Sequence, residues 1–420
     1  MKETWKKILP LFLLCGPFLD MLTAIMLQVF HIDMTLGMIV RSLFLVFCMI
    51  YIFFIYRGTY YRKLWLILGA ILVYSLIFTI IMVSQKDISV LFYEGKNLIK
   101  TFFFPIILLT FLAMRDAKDL TIPRNYFFII YCIYLLGIFI PSIFQIGFDS
   151  YEVTKTGTIG FFNTANEVSA ILAILMPFFL YHLYEKRNLV QIVLWGGILL
   201  YVLVSIGTKG PLLAFVVIIL VWLIYYYVRL IKRKRYPRLA VSSLVLLVFA
   251  TCFIILLPKT AFYQNIQVHL DFLEVDSISE VFTDEKLLDH FVFSSRLKFL
   301  GQTATSYEEA SIPQKIFGIG YIENYGQDTL SLKMIEMDYL DIFFRHGIVG
   351  SLLYLSIYGY FLVSFFKFQV HQKDTKLKIT YLLAGGLSVV LALLTGHVLL
   401  APAVSLLVAV LFVDRKEEVV

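Results

Sequence analysis

The sequence predicts an all-α polytopic membrane protein with about 12 transmembrane helices and one large external loop. Three observations predict it. The 420 residues are 60% hydrophobic and 16% aromatic but only 15% charged, and the mean hydropathy is +0.85. A water-soluble chain of this length could not bury so much apolar surface, so lipid must solvate most of it. Apolar runs long enough to cross a bilayer recur along the chain. Basic residues gather in every second connection between those runs, which is the positive-inside pattern.

Taken in order, the predicted spans are 8–29, 34–56, 64–83, 98–113, 125–146, 167–184, 190–206, 210–230, 239–257, 340–366, 379–396 and 398–413, of which 98–113 and 398–413 are short. The N-terminus, "MKETWKKILPLFLLCGPFLDMLTAIML", lacks a small-residue cleavage site, and its apolar run is long enough to span. Basic clusters fall at Lys2/Lys6/Lys7, Arg57/Arg62/Lys63, Arg115/Lys118/Arg124, Lys186/Arg187, "RLIKRKRYPR" (229–238), Lys367 to Lys378, and Arg415/Lys416. The short connections of opposite parity carry few. This places both termini in the cytoplasm and explains the net charge of +7 without a nucleic-acid partner. Asp20 and Arg41 lie inside the first two spans and are expected to satisfy each other there. The four cysteines sit in apolar runs at no metal-ligand spacing and read as small hydrophobes, so no metal site is expected.

One connection, roughly 258–338, is polar and far longer than ordinary loops, and its apolar spacing suggests short amphipathic helices on the external face. The chain thus divides into an N-terminal bundle (1–150), central spans (151–257), the large loop (258–338) and C-terminal spans (339–420).

Polar groups on the outer face are the candidates for chemistry. In "GTIGFFNTANEVSAILAILMP" (157–177), Asn163, Asn166 and Glu167 stand at a helix start, with Thr164 placed to cap it. The stretch reads either as a capped helix or as the polar rim of a membrane cavity. Lys209 lies in the tight turn "SIGTKGPLLAF" (205–215), with Pro211 in the first helical turn; it either snorkels to headgroups or binds phosphate beside the helix start. Arg296 and Lys298 stand in "FSSRLKFLGQ" (293–302), where Arg296 either pairs with a nearby carboxylate or grips phosphate through two hydrogen bonds. In "KMIEMDYLDIFFRHGIVG" (333–350), Asp338, Asp341 and Arg345 share a helical face, and capping accounts for one or two of the acids, Asp338 being the better cap. Glu336 is left outside the helix, where partial desolvation would raise its pKa and suit it to accept a proton. His397, in the last external turn, is either a packing residue or a polar contact to substrate.

In this order the motifs resemble the bacterial O-antigen ligase and Wzy-type polymerase family. The resemblance rests on "GFFNTANEVSAILAILMP", "GTKGPLLAF", the large loop with "SSRLKFL", "IFGIGY" (316–321) and "EMDYLDIFFRHGIVG". Counting back from Gly347, Glu336 occupies the position of the family's histidine and Leu340 that of its leucine; Lys209 stands where family ligases usually carry arginine. The resemblance implies a multispanning glycosyltransferase of the GT-C type, needing no cofactor, metal or nucleotide. Such an enzyme takes a glycan from undecaprenyl diphosphate in the outer leaflet and joins it to an acceptor hydroxyl on a glycolipid or glycan. Lys209 and Arg296 would then neutralise the diphosphate, with Asn163, Asn166 and His397 as further substrate contacts. Glu336, in competition with Asp338, would be the base. Among subtypes the chain is most similar to Gram-positive members such as the streptococcal lipoteichoic acid ligases. A capsule or exopolysaccharide polymerase is the near alternative, and a transporter or flippase of lipid-linked glycans the distant one.

Overall fold

The computed structural model describes residues 2–32, 34–86, 88–120, 122–123, 125–151, 156–275, 277–322 and 333–413. The expected basic residues Arg124, Arg415 and Lys416 lie outside them. Among the described residues, ten helices are long and apolar enough to cross a membrane, and two more apolar helices are shorter. The first nine are α1 (Lys2–Gln28), α2 (Leu36–Ile50), α3 (Tyr61–Gln85), α4 (Leu91–Asp116), α5 (Asn125–Phe144), α6 (Ala165–Lys186), α7 (Leu189–Ser205), α8 (Lys209–Lys232) and α9 (Tyr236–Leu256). Five short helices follow: α10 (Ala261–Phe272), α11 (Ile278–Val281), α12 (Glu285–Phe293), α13 (Arg296–Glu309) and α14 (Ile312–Phe317). The chain then re-enters the bundle as α15 (Asp338–Val370), α16 (Thr375–Leu394) and α17 (Pro402–Val413).

α4, α6 and α17 form the centre. α6 packs on α5, α8 and α16, and α4 packs on α3, α15 and α17. α4 is longer than the apolar run 98–113 because its first turns, with Glu94 and Lys96, lie before that run. A helix apolar on all sides belongs inside a bundle, and α17 is buried along its length after Pro402. At 12 residues it is about 18 Å long, too short to cross hydrocarbon. The expected span 398–413 is therefore not helical throughout: residues 397–401 are irregular backbone. Such backbone is tolerated at membrane depth only where protein satisfies its polar groups. The peripheral α9, by contrast, has no described residue fully buried.

Contacts sort the connections into two ends of the bundle. At one end Thr59 N–H donates to Asp116, Lys6 lies 4.0 Å from Asp119, and Arg115 donates to the carbonyl of Val413. The first and last described residues thus lie at the same end. At the other end Gln28 meets Asn163, Lys86 meets Ile319, Thr156 meets Asn265, and Asp338 meets His397. The described residues between α9 and α15 belong to this second end. Their helices enclose a small apolar cluster of Leu270, Val281 and Phe291.

Charge is not confined to that segment. Asp20 accepts hydrogen bonds from both Arg41 and Tyr134, so the expected pair inside the first two spans forms. Lys86 and Glu94 form a second buried pair at 3.3 Å. Asp341 and Arg345, spaced one helical turn apart, form a third at 3.8 Å with both side chains fully buried.

Candidate functional site

Two backbone segments make the floor of the site. Residues 333–337 lead into α15, and residues 395–401 join α16 to α17. They touch at Gly396 (φ +62°), where a Cβ would stand 2.7 Å from the carbonyl carbon and oxygen of Glu336. Only glycine allows that approach. Asp341 holds the first segment by accepting from the N–H groups of Ile335 (3.0 Å) and Glu336 (2.9 Å). Asp338 holds the second, its carboxylate accepting from the N–H groups of His397 (3.0 Å), Val398 (2.9 Å) and Leu399 (2.7 Å). The expected capping role of Asp338 is thus corrected. The N-cap of α15 is Met337, without a side-chain cap, and Asp338 spends its carboxylate on backbone 59 to 61 residues away. In that way the irregular segment before α17 obtains partners at depth. Asp338 is also 2% exposed, whereas the Glu336 side chain is 30% exposed.

Both segments leave a polar side chain over the floor from a left-handed residue, Glu336 (φ +61°) and His397 (φ +58°). Non-glycine residues held there cost energy and cluster at functional positions. Arg296 arrives from the other side. Ser294 and Ser295 are both left-handed, and the Asp289 carboxylate accepts from Leu297 N–H (2.9 Å) and Lys298 N–H (3.1 Å), which fixes the start of α13. Arg296 Nη2 donates to Glu336 Oε2 at 2.9 Å and to the Thr395 carbonyl at 3.4 Å; Nη1 donates to the Phe293 carbonyl at 3.3 Å. Its Nε–H is buried without a partner, as is Nε2 of His397, which lies 3.9 Å from Glu336 Oε2, beyond hydrogen-bond reach.

These charges set one another's proton affinity. Burial acts to raise the Glu336 pKa, but nearby His397 and then the Arg296 guanidinium outweigh it and hold the carboxyl below its ordinary value. That reverses the expected rise: desolvation is present, and two cations overcome it. For His397 burial acts to lower the pKa, yet contact with Glu336 and the carboxylate charges of Glu167 and Asp338 leave it raised.

Beside this floor opens a cavity of about 130 Å³, continuous with the outside, lined in part by Asn166, Lys209, Asn265 and Arg296. Lys209 is the first residue of α8, after the turn in which Gly207 (φ +76°) passes close to Asn265 and the Thr156 carbonyl. Its ammonium does not rest beside the helix N–H groups, as expected, but crosses to α12. There it donates to the Phe291 carbonyl at 2.6 Å and covers the Phe291 ring at 3.7 Å. The structure therefore brings Asn166, Lys209 and Arg296 together in the cavity wall, and Arg296 connects them to Glu336 and His397, which lie behind it. Asn163 does not line the cavity; it accepts from Gln28 at 3.1 Å. Thr164 occupies the N-cap position of α6 but makes no side-chain cap bond.

Sequence reasoning missed a further buried layer. Gly347 (φ +63°, ψ −168°) breaks α15, and the break receives the glycines of "IFGIGY". Ile319 and Gly320 N–H donate to the carbonyls of Phe344 and Arg345, and a Cβ on Gly347 would lie 2.5 Å from Gly318 N. His346 Nε2 is 3.0 Å from Tyr321 Oη and its Nδ1 3.2 Å from Tyr74 Oη. Glu94 accepts from Tyr321 and Ile322 N–H. The repeated spacing of glycines in the two motifs was the available signal. Among the described residues, no group of three or more His, Cys, Asp or Glu side chains is placed to share a metal ion.

The profile of the family described as O-antigen ligase like membrane protein matches residues 2–286 and 277–414. No curated individual protein matches the chain. Since the two matched segments together span nearly the whole sequence, the chain belongs to the O-antigen ligase-like family of membrane proteins.

Proposed function

We propose that the chain is a GT-C-type glycosyltransferase that transfers a glycan from undecaprenyl diphosphate to an acceptor hydroxyl on the outer face of the membrane. The family supports a membrane ligase or polymerase of lipid-linked glycans. The observation that carries the finer reading is the meeting of Arg296 and His397 at one partly exposed carboxylate, Glu336, with Arg296 and Lys209 both lining the neighbouring cavity. A departing diphosphate needs cations placed before it leaves, and unpartnered Arg296 Nε–H is a donor awaiting an anion. An attacking hydroxyl needs a base within reach, which is the role of Glu336. Asp338, buried and committed to three backbone donors, serves as scaffold. Following the basic connections, both termini are cytoplasmic and the cavity faces outward.

The polymer is a preassembled teichoic acid chain and the acceptor a glycolipid anchor, by resemblance to the Gram-positive members. A capsule or exopolysaccharide polymerase of the same family would use the same donor site.

The test is transfer by purified protein in detergent, with undecaprenyl-diphosphate-linked glycan and candidate acceptors, products being read by mass. Joined product without a sealed membrane supports an enzyme. No product under conditions where the protein moves the donor across vesicles would make it a transporter instead. Growth of the donor's own chain, with no glycolipid product, would make it a polymerase.

A further inference from the structure

A carboxylate locked to a guanidinium is a weak proton acceptor. Glu336 is in that state here, with Arg296 Nη2 at 2.9 Å. Resting on the reading of the site given above, we propose that the Arg296–Glu336 pair is a latch opened by the donor: the diphosphate takes the guanidinium, and the released Glu336 becomes the base.

The geometry of Arg296 favours exchange of partners. A guanidinium carries five N–H donors in a fixed fork. In Arg296 the Nη2 group is divided between Glu336 at 2.9 Å and the Thr395 carbonyl at 3.4 Å, Nη1 has a long bond of 3.3 Å, and the buried Nε–H has no partner. A diphosphate oxygen pair is a better match than one carboxylate oxygen, because it can accept from two N–H groups in parallel. Arg296 already lines the cavity, so the exchange needs no movement of α13. The carboxylate is the more exposed member. The Glu336 side chain is 30% exposed against 8% for Arg296.

The surroundings then decide what release does. Glu336 is faced by Arg296 from α13 and by His397 from the turn before α17; Asp341, paired with Arg345, holds its backbone N–H, and Glu167 of α6 acts on His397. Removing the guanidinium takes away one of the charges that hold the Glu336 carboxyl down, so its proton affinity rises. The acceptor's O–H proton passes to Glu336 while its oxygen forms the new bond to the anomeric carbon. The bond from that carbon to the phosphate oxygen breaks, and its electron pair leaves with the diphosphate. Donor binding therefore precedes deprotonation, and a site without donor holds no active base.

The experiment measures binding of undecaprenyl diphosphate to the purified full-length chain in detergent, with folding checked by gel filtration. In the wild type the lipid competes with Glu336 for Arg296. Glu336→Gln and Glu336→Ala remove the competitor, and each is expected to bind roughly tenfold more tightly, the scale of one charge-assisted hydrogen bond. Arg296→Ala is expected to bind more weakly than the wild type. A structural role for Glu336 would give weaker binding on its loss. Folded Glu336 variants that bind no better than a binding-competent wild type would overturn the latch alone. Failure of the wild type to bind the lipid would overturn the diphosphate reading, and the latch with it.

Discussion

Side chains of one type hold three roles within a few residues of one another. Asp341 and Asp338 organise backbone, while Glu336 stands against Arg296. The separation was only partly legible in the sequence. The spacing of Asp341 and Arg345 gave their ion pair, and the position of Glu336 outside the helix set it apart. Nothing local could reveal that Asp338 serves a turn 59 to 61 residues away, since backbone N–H groups leave no mark on sequence. The consequence differs from that of a cap. Asparagine has one accepting oxygen, so Asp338→Asn leaves buried N–H groups unpaired and is expected to cost about 1–3 kcal/mol, read as a lowered Tm together with reduced transfer. Unchanged Tm in Asp338→Asn would return it to the role of a simple helix start. The Glu336–His397 contact carries its own pH signature. A lowered Glu336 pKa contributes stability that is complete above its ordinary value of 4.5 and lost as pH falls through the folded value. A raised His397 pKa contributes stability complete below 6.5 and lost as pH rises through the folded value. The Tm lost in the double variant Glu336→Gln/His397→Gln should therefore be greatest between those two values and shrink on either side.

At the level of elements, most helices were legible because long apolar runs have few alternatives in lipid. The failure at 398–413 has a physical source: α17 is enclosed by protein, so its entry need not be helical once Asp338 supplies an acceptor. The break in α15 was equally hidden, although its glycines stood in view. "IFGIGY" and "RHGIVG" form one unit in which Gly318 (φ +116°) and Gly347 (φ +63°) admit each other's backbone. Gly347→Ala would place a Cβ 2.5 Å from Gly318 N in a left-handed conformation. It should destabilise the protein by about 1–3 kcal/mol and lower its Tm, without touching a charged residue of the cavity. A Gly347→Ala variant as stable as the wild type would show that the break is not needed by the fold.

Across the whole molecule, the connections of one parity meet at one end of the bundle, and every residue of the candidate site lies there. From positive-inside patterning we propose that this end is the outer one. A cysteine introduced at position 280, on exposed α11, should react with an impermeant maleimide in intact cells. Reaction only after permeabilisation would invert the topology. The family supports a membrane ligase or polymerase; the roles proposed for Arg296 and Glu336 would make it this particular chemistry. Single-turnover transfer from undecaprenyl-diphosphate-linked glycan tests those roles most directly, with the wild type compared against Glu336→Gln and Arg296→Ala at equal amounts of folded protein. Each variant is expected to lose about a hundredfold or more in rate, the scale of one preorganised transition-state contact. Transfer by either variant within a few-fold of the wild-type rate would contradict the assignment of that residue to the reaction.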